Sequence, residues 1–250
     1  MSPIQCCDQE VDVRAEGGVE QSSPFDGFAS EYDAWFGGEG RLTFATQLRA
    51  FQELLPGLPK PWLEVGVGSG RLAQSLGIDT GVDPSVKLVA MARTRGVSTL
   101  LARGEELPFE AASFGTVFLI MTMCFLERPG IALREAKRVL LPDGKLVIGL
   151  VLEDSPWGRF YRQRGKPGHC FYQHARFYGY EHLVTSLLTA GLPPERVVST
   201  LFQKPTAVER IEEPREGYLP GAGFMIVVAT RPERHAHAGQ DIPFGAHLQV

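Results

Sequence analysis

A doubly wound α/β fold is predicted by three features of the chain. A short apolar run, Pro61-Trp62-Leu63, enters a loop with glycine at alternate positions, Gly66, Gly68 and Gly70, and apolar residues resume at helical spacing at Leu72, Ala73 and Leu76. Strand-like segments near 61–66, 79–82, 98–102, 115–122 and 144–152 alternate with helices, the pattern of a parallel sheet covered on both faces. Two further strands, near 197–204 and 223–230, are joined by a loop and therefore pair antiparallel at the edge. The expectation is a seven-stranded sheet, mostly parallel.

Two helices, about 26–36 and 42–55, precede the first strand. The first carries an aromatic stripe, Phe25, Phe28, Tyr32, Trp35 and Phe36, at spacings of three and four. It either packs on the core or lids a ligand. The glycine loop, Glu64-Val65-Gly66-Val67-Gly68-Ser69-Gly70-Arg71, reads as a small-molecule cradle. Without a Cβ its glycines accept positive φ and let a ligand press on main-chain N–H groups. A dinucleotide turn would need glycine where Arg71 stands, and a phosphate loop would end in Gly-Lys-Ser/Thr, so neither is predicted. Asp83, in Gly81-Val82-Asp83-Pro84-Ser85, ends the second strand, where a carboxylate can accept two hydrogen bonds from a ribose diol.

Farther along, Ile131 to Leu141 is an amphipathic helix with Leu133, Ala136 and Leu140 on one face, and Pro142-Asp143-Gly144 turns the chain into the fifth strand. The Glu-x-Gly-x-Gly-x-Gly loop, Asp83, and Gly104-Glu105-Glu106-Leu107-Pro108-Phe109 with Ser113-Phe114 come in the order seen in class I S-adenosylmethionine-dependent methyltransferases. Over residues 25 to 230 the chain resembles the small-molecule type 11 branch of that family, which includes the ubiquinone and menaquinone methyltransferases. The resemblance implies S-adenosyl-L-methionine as cofactor, held by Tyr32, Glu64, Gly66, Val67, Gly68, Asp83, Pro84, Gly104, Glu105 and Met121. It departs at Arg103, where the family usually has Asp, and at Gly115, where another Asp is usual. The element Asn/Asp-Pro-Pro-Tyr/Phe is replaced by Met121-Thr122-Met123-Cys124-Phe125, which argues against amino-methylation of DNA bases.

The net charge of −4 also argues against a nucleic-acid grip, which needs a basic surface. At 250 residues and 44% hydrophobic content, one large domain at 24–230 is expected between tails at 1–23 and 231–250 that lack a periodic apolar face. Asp8, Glu10, Asp12 and Glu16 break up the leader, and no apolar run is long enough to span a bilayer, so a cytoplasmic protein is expected. Cys6, Cys7, Cys124 and Cys170, like His235 and His237, have no metal-binding spacing, and no metal is expected.

The acceptor signal lies in residues 153–180, rich in aromatics and in the cations Arg159, Arg162, Arg164, Lys166 and Arg176. This flap either roofs an anionic or aromatic acceptor, with Tyr161, Tyr172 and Arg176 as contacts, or is a solvated basic segment with its rings packed inward. Lone His169 and His174 are weak candidates for a general base. No catalytic side chain is assigned, because an activated methyl group mainly needs alignment with a nucleophile. The sequence predicts methyl transfer to a small molecule through an N, O or C nucleophile, with a catalytically silent cofactor-binding or protein-interaction module as the alternative.

Overall fold

Trp62–Val65, all four residues buried, form β1, the strand from which the sheet is laid out in both directions. The computed structural model describes residues 23–164 and 175–233. Before β1 come helices α1 (Ala29–Gly37) and α2 (Arg41–Gln52). After it follow α3 (Arg71–Leu76), β2 (Thr80–Asp83), α4 (Val86–Thr94), β3 (Ser98–Leu101), β4 (Phe114–Ile120), α5 (Pro129–Val139) and β5 (Leu140–Leu150). Then come α6 (Pro156–Arg164), α7 (Tyr180–Thr189), β6 (Pro194–Thr200), the two-residue β7 (Arg215–Glu216) and β8 (Phe224–Thr230). The order across the sheet is β3-β2-β1-β4-β5-β8-β6-β7, parallel through β5, with β8 antiparallel to both β5 and β6.

Alternation along the strands gives the sheet two apolar faces. Leu63, Val117, Leu119 and Ile148 pack with Leu133 and Ala136 of α5 and with Leu183 and Leu187 of α7. Trp62, Phe118 and Val147 face the other way, against Phe51 of α2, Ala73 of α3, Ala92 of α4 and Trp157 of α6. Fully burying one such leucine or phenylalanine contributes about 1.5–3 kcal/mol, so these two layers set the fold.

Four details differ from the sequence expectation. The sheet has eight strands, because the short β7 pairs with β6. The link from β3 to β4 contains no helix; it is the loop 102–113, tied down by Arg138, whose guanidinium donates to the Phe109 and Leu107 carbonyls at 2.7 and 2.9 Å. Helix α5 ends at Val139, and Pro142-Asp143-Gly144 lies inside β5 as an irregularity, with Asp143 at φ 59° and the β4 register shifting between Phe114 and Thr116. Ser23, assigned to the tail, is buried and lines the main cavity. Residues 1–22 and 234–250, with the tail cysteines and histidines, lie outside the described residues, as do Lys166, His169, Cys170, Tyr172 and His174. No described helix is long and apolar enough to cross a membrane.

Candidate active site

Gly66, Gly68 and Gly70 have φ values of 75°, 55° and 81°, so the turn from β1 into α3 is left-handed at alternate residues. A Cβ at Gly66 would sit 2.4 Å from the Thr122 hydroxyl, and one at Gly70 would sit 2.9 Å from Ala92. The N–H groups expected to face a ligand are mostly used by the fold. Those of Gly66 and Val67 donate to the Val82 carbonyl at 2.8 and 3.0 Å, that of Gly70 to Val67, and that of Gly68 to Asp83 Oδ2 at 2.9 Å. The loop is hung from the end of β2, and it meets the cavity through Gly66, Val67 and Ser69, whereas Gly68 is not on the cavity wall and lies against Tyr32.

Asp83 is the peg for that attachment. Its Oδ1 accepts the Ser85 N–H at 2.9 Å, so one carboxylate joins the glycine loop to the start of α4. It lies beneath the cavity wall, whereas its neighbour Pro84 is on it. Burial pushes the Asp83 carboxyl up to about 6, although both backbone N–H donors favour the charged form.

Glu64, at the end of β1, is only 1% exposed and borders the cavity, and its Oε2 has no hydrogen-bond partner. Burial and then the charge of Asp83 hold it well above the ordinary carboxylate range, with only the Ala73 N–H favouring ionisation. A buried acid with an orphaned oxygen suits the ammonium of an α-amino acid.

Helix α1 lies over these loops. Tyr32 stacks edge-on to Phe25 and Phe36, and its hydroxyl is 3.2 Å from the position a Cβ on Gly68 would take. Burial, then the charges of Asp83 and Glu64, raise its phenol, so it stays protonated. Next to it, Asp33 accepts from Arg71 Nε and Nη2, both at 2.7 Å, and from Arg95 Nη2 at 2.8 Å, while Arg95 Nη1 donates to the Ser69 carbonyl at 2.7 Å. The Arg71 fork lowers the Asp33 carboxyl to about 2. At the other end of α1, Asp26 accepts from the Ser85 hydroxyl at 2.6 Å and the Lys87 N–H at 3.1 Å. The aromatic stripe is thus fastened to both rims of the loop region by two acids whose role the sequence pattern did not expose.

Gly104 lines the cavity where a Cβ would crowd Val65 at 3.0 Å and Leu126 at 3.1 Å. Glu105 lines it too, but its Oε1 accepts the Arg128 N–H at 3.1 Å and so braces the start of α5. Met121, at φ 54°, turns the chain out of β4, with its N–H on the Gly149 carbonyl at 2.7 Å. Cys124 is buried, donates to the Met121 carbonyl at 3.2 Å, and has its thiol pushed up to about 12 by burial.

Tyr161 and Arg176 reach the same cavity from the flap. The Arg176 N–H donates to the Cys124 carbonyl at 2.8 Å, its side chain is exposed, and no described acid pairs with it. The rings of the flap are mostly packed inward: Trp157 is 2% exposed and Tyr161 6%. Arg162 is spent on Glu153 at 2.8 Å and Arg164 lies over Phe160. Of the two readings of this segment, the inward packing and the cavity contact both hold, and through the same rings: Trp157 and Tyr161 are buried and line the cavity.

The cavity occupies about 1020 Å³, at the upper limit for a single small-ligand pocket and enough for a cofactor with a second molecule beside it. It runs from the glycine loop, past Met121 and Thr122, to Trp157 and Val208. The residues fit S-adenosylmethionine on their own chemistry. Glu64 would take the amino group, the glycine cradle gives space for the body of the molecule, and Gly104 allows a flat base to lie against the wall.

Comparison with known proteins bears on the fold and the family. The type 11 methyltransferase-domain model matches residues 63–148, which span β1 to β5. A solved S-adenosylmethionine-dependent methyltransferase from Thermotoga maritima, described as a possible histamine N-methyltransferase, is 36% identical, covers 83% of this chain and 98% of its own, and superposes with a TM-score of 0.77. An uncharacterised protein of Mycobacterium tuberculosis is 37% identical over 229 residues, 90% of this chain and 79% of that one. One from Methanocaldococcus jannaschii is 33% identical over 207 residues, 83% of this chain and 98% of that one. With the fold, the glycine cradle and these relatives in agreement, the chain belongs to the class I S-adenosylmethionine-dependent methyltransferases, in the type 11 branch.

Proposed function

We propose that the acceptor is a small molecule seated in the same cavity as the cofactor, and that an N, O or C nucleophile on it receives the methyl group. The observation that carries this reading is the single cavity of about 1020 Å³, roofed by α1 and continuing beyond the glycine loop into a pocket walled by aromatic rings. A concave pocket of this volume suits a metabolite-sized acceptor.

When bound, S-adenosylmethionine supplies a methyl group already activated on a sulfonium. Glu64 holds the amino group at one end and the glycines leave room for the rest. Asp83 lies beneath the wall with both oxygens on backbone N–H groups, so it would reach a ribose diol only where Pro84 gives way, and Tyr32 and Pro84 would border the sugar. Gly104 and Glu105 border the base, and Met121 marks the middle of the cavity. Tyr161 and Arg176 belong to the acceptor side. No side chain in this set is assigned as a base, since positioning and exclusion of water account for the rate such a site needs. Incubating the protein with S-adenosylmethionine and fractionated metabolite pools, and measuring S-adenosylhomocysteine, tests the reading. Release only with protein or nucleic-acid fractions would refute it.

A further inference from the structure

The sheet order divides the cavity into two ends. Gly66, Pro84 and Gly104 line it beyond β1, β2 and β3, whereas Val151, Trp157 and Val208 line it beyond β5 and β6. Carboxylates and cations on the buried wall belong to the first end. Among the described residues the buried wall of the second has none, and Arg164 and Arg176 reach that region only from exposed positions.

Two polar side chains of α2, a helix that packs against β6 and β8 as well as α3, also border the cavity. Thr43 and Gln47, one turn apart on α2, are 4% and 6% exposed and border the cavity. No described residue hydrogen-bonds either side chain. Thr46, between them, is accounted for, since its hydroxyl accepts the Glu212 N–H at 3.3 Å. Neither is among the polar atoms sealed from solvent, so both open into the cavity with their hydrogen-bonding capacity free for a guest.

The rings opposite are fixed in place. Trp157 Nε1 donates to the Gln203 carbonyl at 2.9 Å, and a Cβ on Gly223 would lie 2.0 Å from the indole, so the glycine is what lets the ring seat. Tyr161 packs against it at 5.8 Å between centroids. Rigid aromatic walls favour a flat guest. An ion there would lose its hydration without a counter-charge. A primary amide presents a carbonyl and an N–H₂ side by side, and so pairs with a guest that carries a donor next to an acceptor.

We infer that the end beyond β5 and β6 is the acceptor subsite, that it takes a flat, uncharged ring system with adjacent hydrogen-bond donor and acceptor, such as a lactam or an N–H azole, and that Gln47, seconded by Thr43, reads that edge. This deepens the proposed function and rests on its placing of the cofactor at the other end.

The test uses the full chain saturated with S-adenosylhomocysteine and titrated calorimetrically with 2-quinolone, an uncharged lactam, and with 2-naphthoate, an anion of similar size. 2-Quinolone is expected to bind more tightly than 2-naphthoate. Gln47→Leu should weaken 2-quinolone by about tenfold or more, because a site built for a hydrogen bond loses it outright. The same variant should hold S-adenosylhomocysteine within about twofold and melt no lower than the parent, since an unpartnered amide has been replaced by an apolar side chain of similar size. Thr43→Val should weaken 2-quinolone in the same direction.

Failure of 2-quinolone to bind the parent, equal binding to Gln47→Leu, or a preference for 2-naphthoate would overturn the inference. So would a lower melting temperature with parallel loss of both ligands, which marks Gln47 as structural. If S-adenosylhomocysteine itself does not bind, the methyl-transfer reading fails, and 2-quinolone titrated into the free protein still decides the subsite.

Discussion

Arg71 grips Asp33 through two parallel hydrogen bonds, both 2.7 Å, and so ties the helix above the cofactor site to the first turn of the helix below it. Because the fork requires a planar guanidinium, Arg71→Lys cannot restore it. Asp33→Ala is expected to destabilise the fold by about 1–3 kcal/mol and to raise the cofactor dissociation rate several-fold. Stopped-flow displacement of S-adenosylhomocysteine measures the second effect. The lowered Asp33 carboxyl gives this tether a defined acid limit. Its contribution is complete above the ordinary value of 3.8 and is lost as pH falls through about 2. The parent and Asp33→Ala should therefore converge in stability only in strong acid.

A side chain at Gly66 has nowhere to go. Valine there would strain a φ of 75° and drive its Cβ into Thr122, and valine at Gly68, at φ 55°, would meet the Tyr32 ring. Each variant should abolish S-adenosylmethionine binding by calorimetry. Unchanged affinity in either would remove the cradle from the cofactor site.

Glu64 should release a proton when the cofactor binds. Its carboxyl is raised in the free protein, and a bound ammonium favours the charged form, so affinity increases with pH until the free acid has ionised. Binding heats that differ between phosphate and Tris at one pH would report the proton. Glu64→Gln should bind about tenfold more weakly. It should also melt higher near neutral pH without ligand. A raised folded pKa means stability present below the unfolded value and lost as pH rises through the folded one, a loss glutamine avoids.

Arg176, unpaired among the described residues, is the hydrogen-bond donor best placed to meet an acceptor's carbonyl oxygen at the cavity mouth. Arg176→Lys is expected to raise the acceptor KM severalfold while S-adenosylmethionine affinity stays within about threefold. Equal losses of cofactor affinity and melting temperature would show that Arg176 only ties the flap to the 123–125 turn.

The glycine loop and its attachment to β2 were legible because their residues are unusual in type and close in sequence. Glu64 to Gly70 fall in one loop, and Asp83 ends the next strand. Arg71 was read only for the glycine it replaces, since nothing local says that a residue 38 positions earlier, Asp33, will face it. The strand period found β4 and β5 but not the irregularity at Asp143, which depends on two strands meeting out of step. Gly115, a departure from the family pattern, has a plain local cause: a Cβ there would lie 2.5 Å from the Pro59 carbonyl. Thr43 and Gln47 look like the solvent face of an amphipathic helix. Only the fold reveals that this face looks into a cavity.

The placement of β8 also fixes an order of assembly during synthesis. The parallel half of the sheet, β3-β2-β1-β4-β5, is complete in the nascent chain by Leu150, and with it the glycine cradle and Asp83. The ribbon of β6 and β7 has no place to join until Phe224–Thr230 has emerged, because β8 is its bridge to β5. Gly223, against which Trp157 seats, comes at the start of that same last stretch. A ribosome-bound chain stopped short of it already carries the described residues that line the cavity, but it lacks the strand that anchors β6 and the glycine on which Trp157 seats, so the far wall of the cavity is set last.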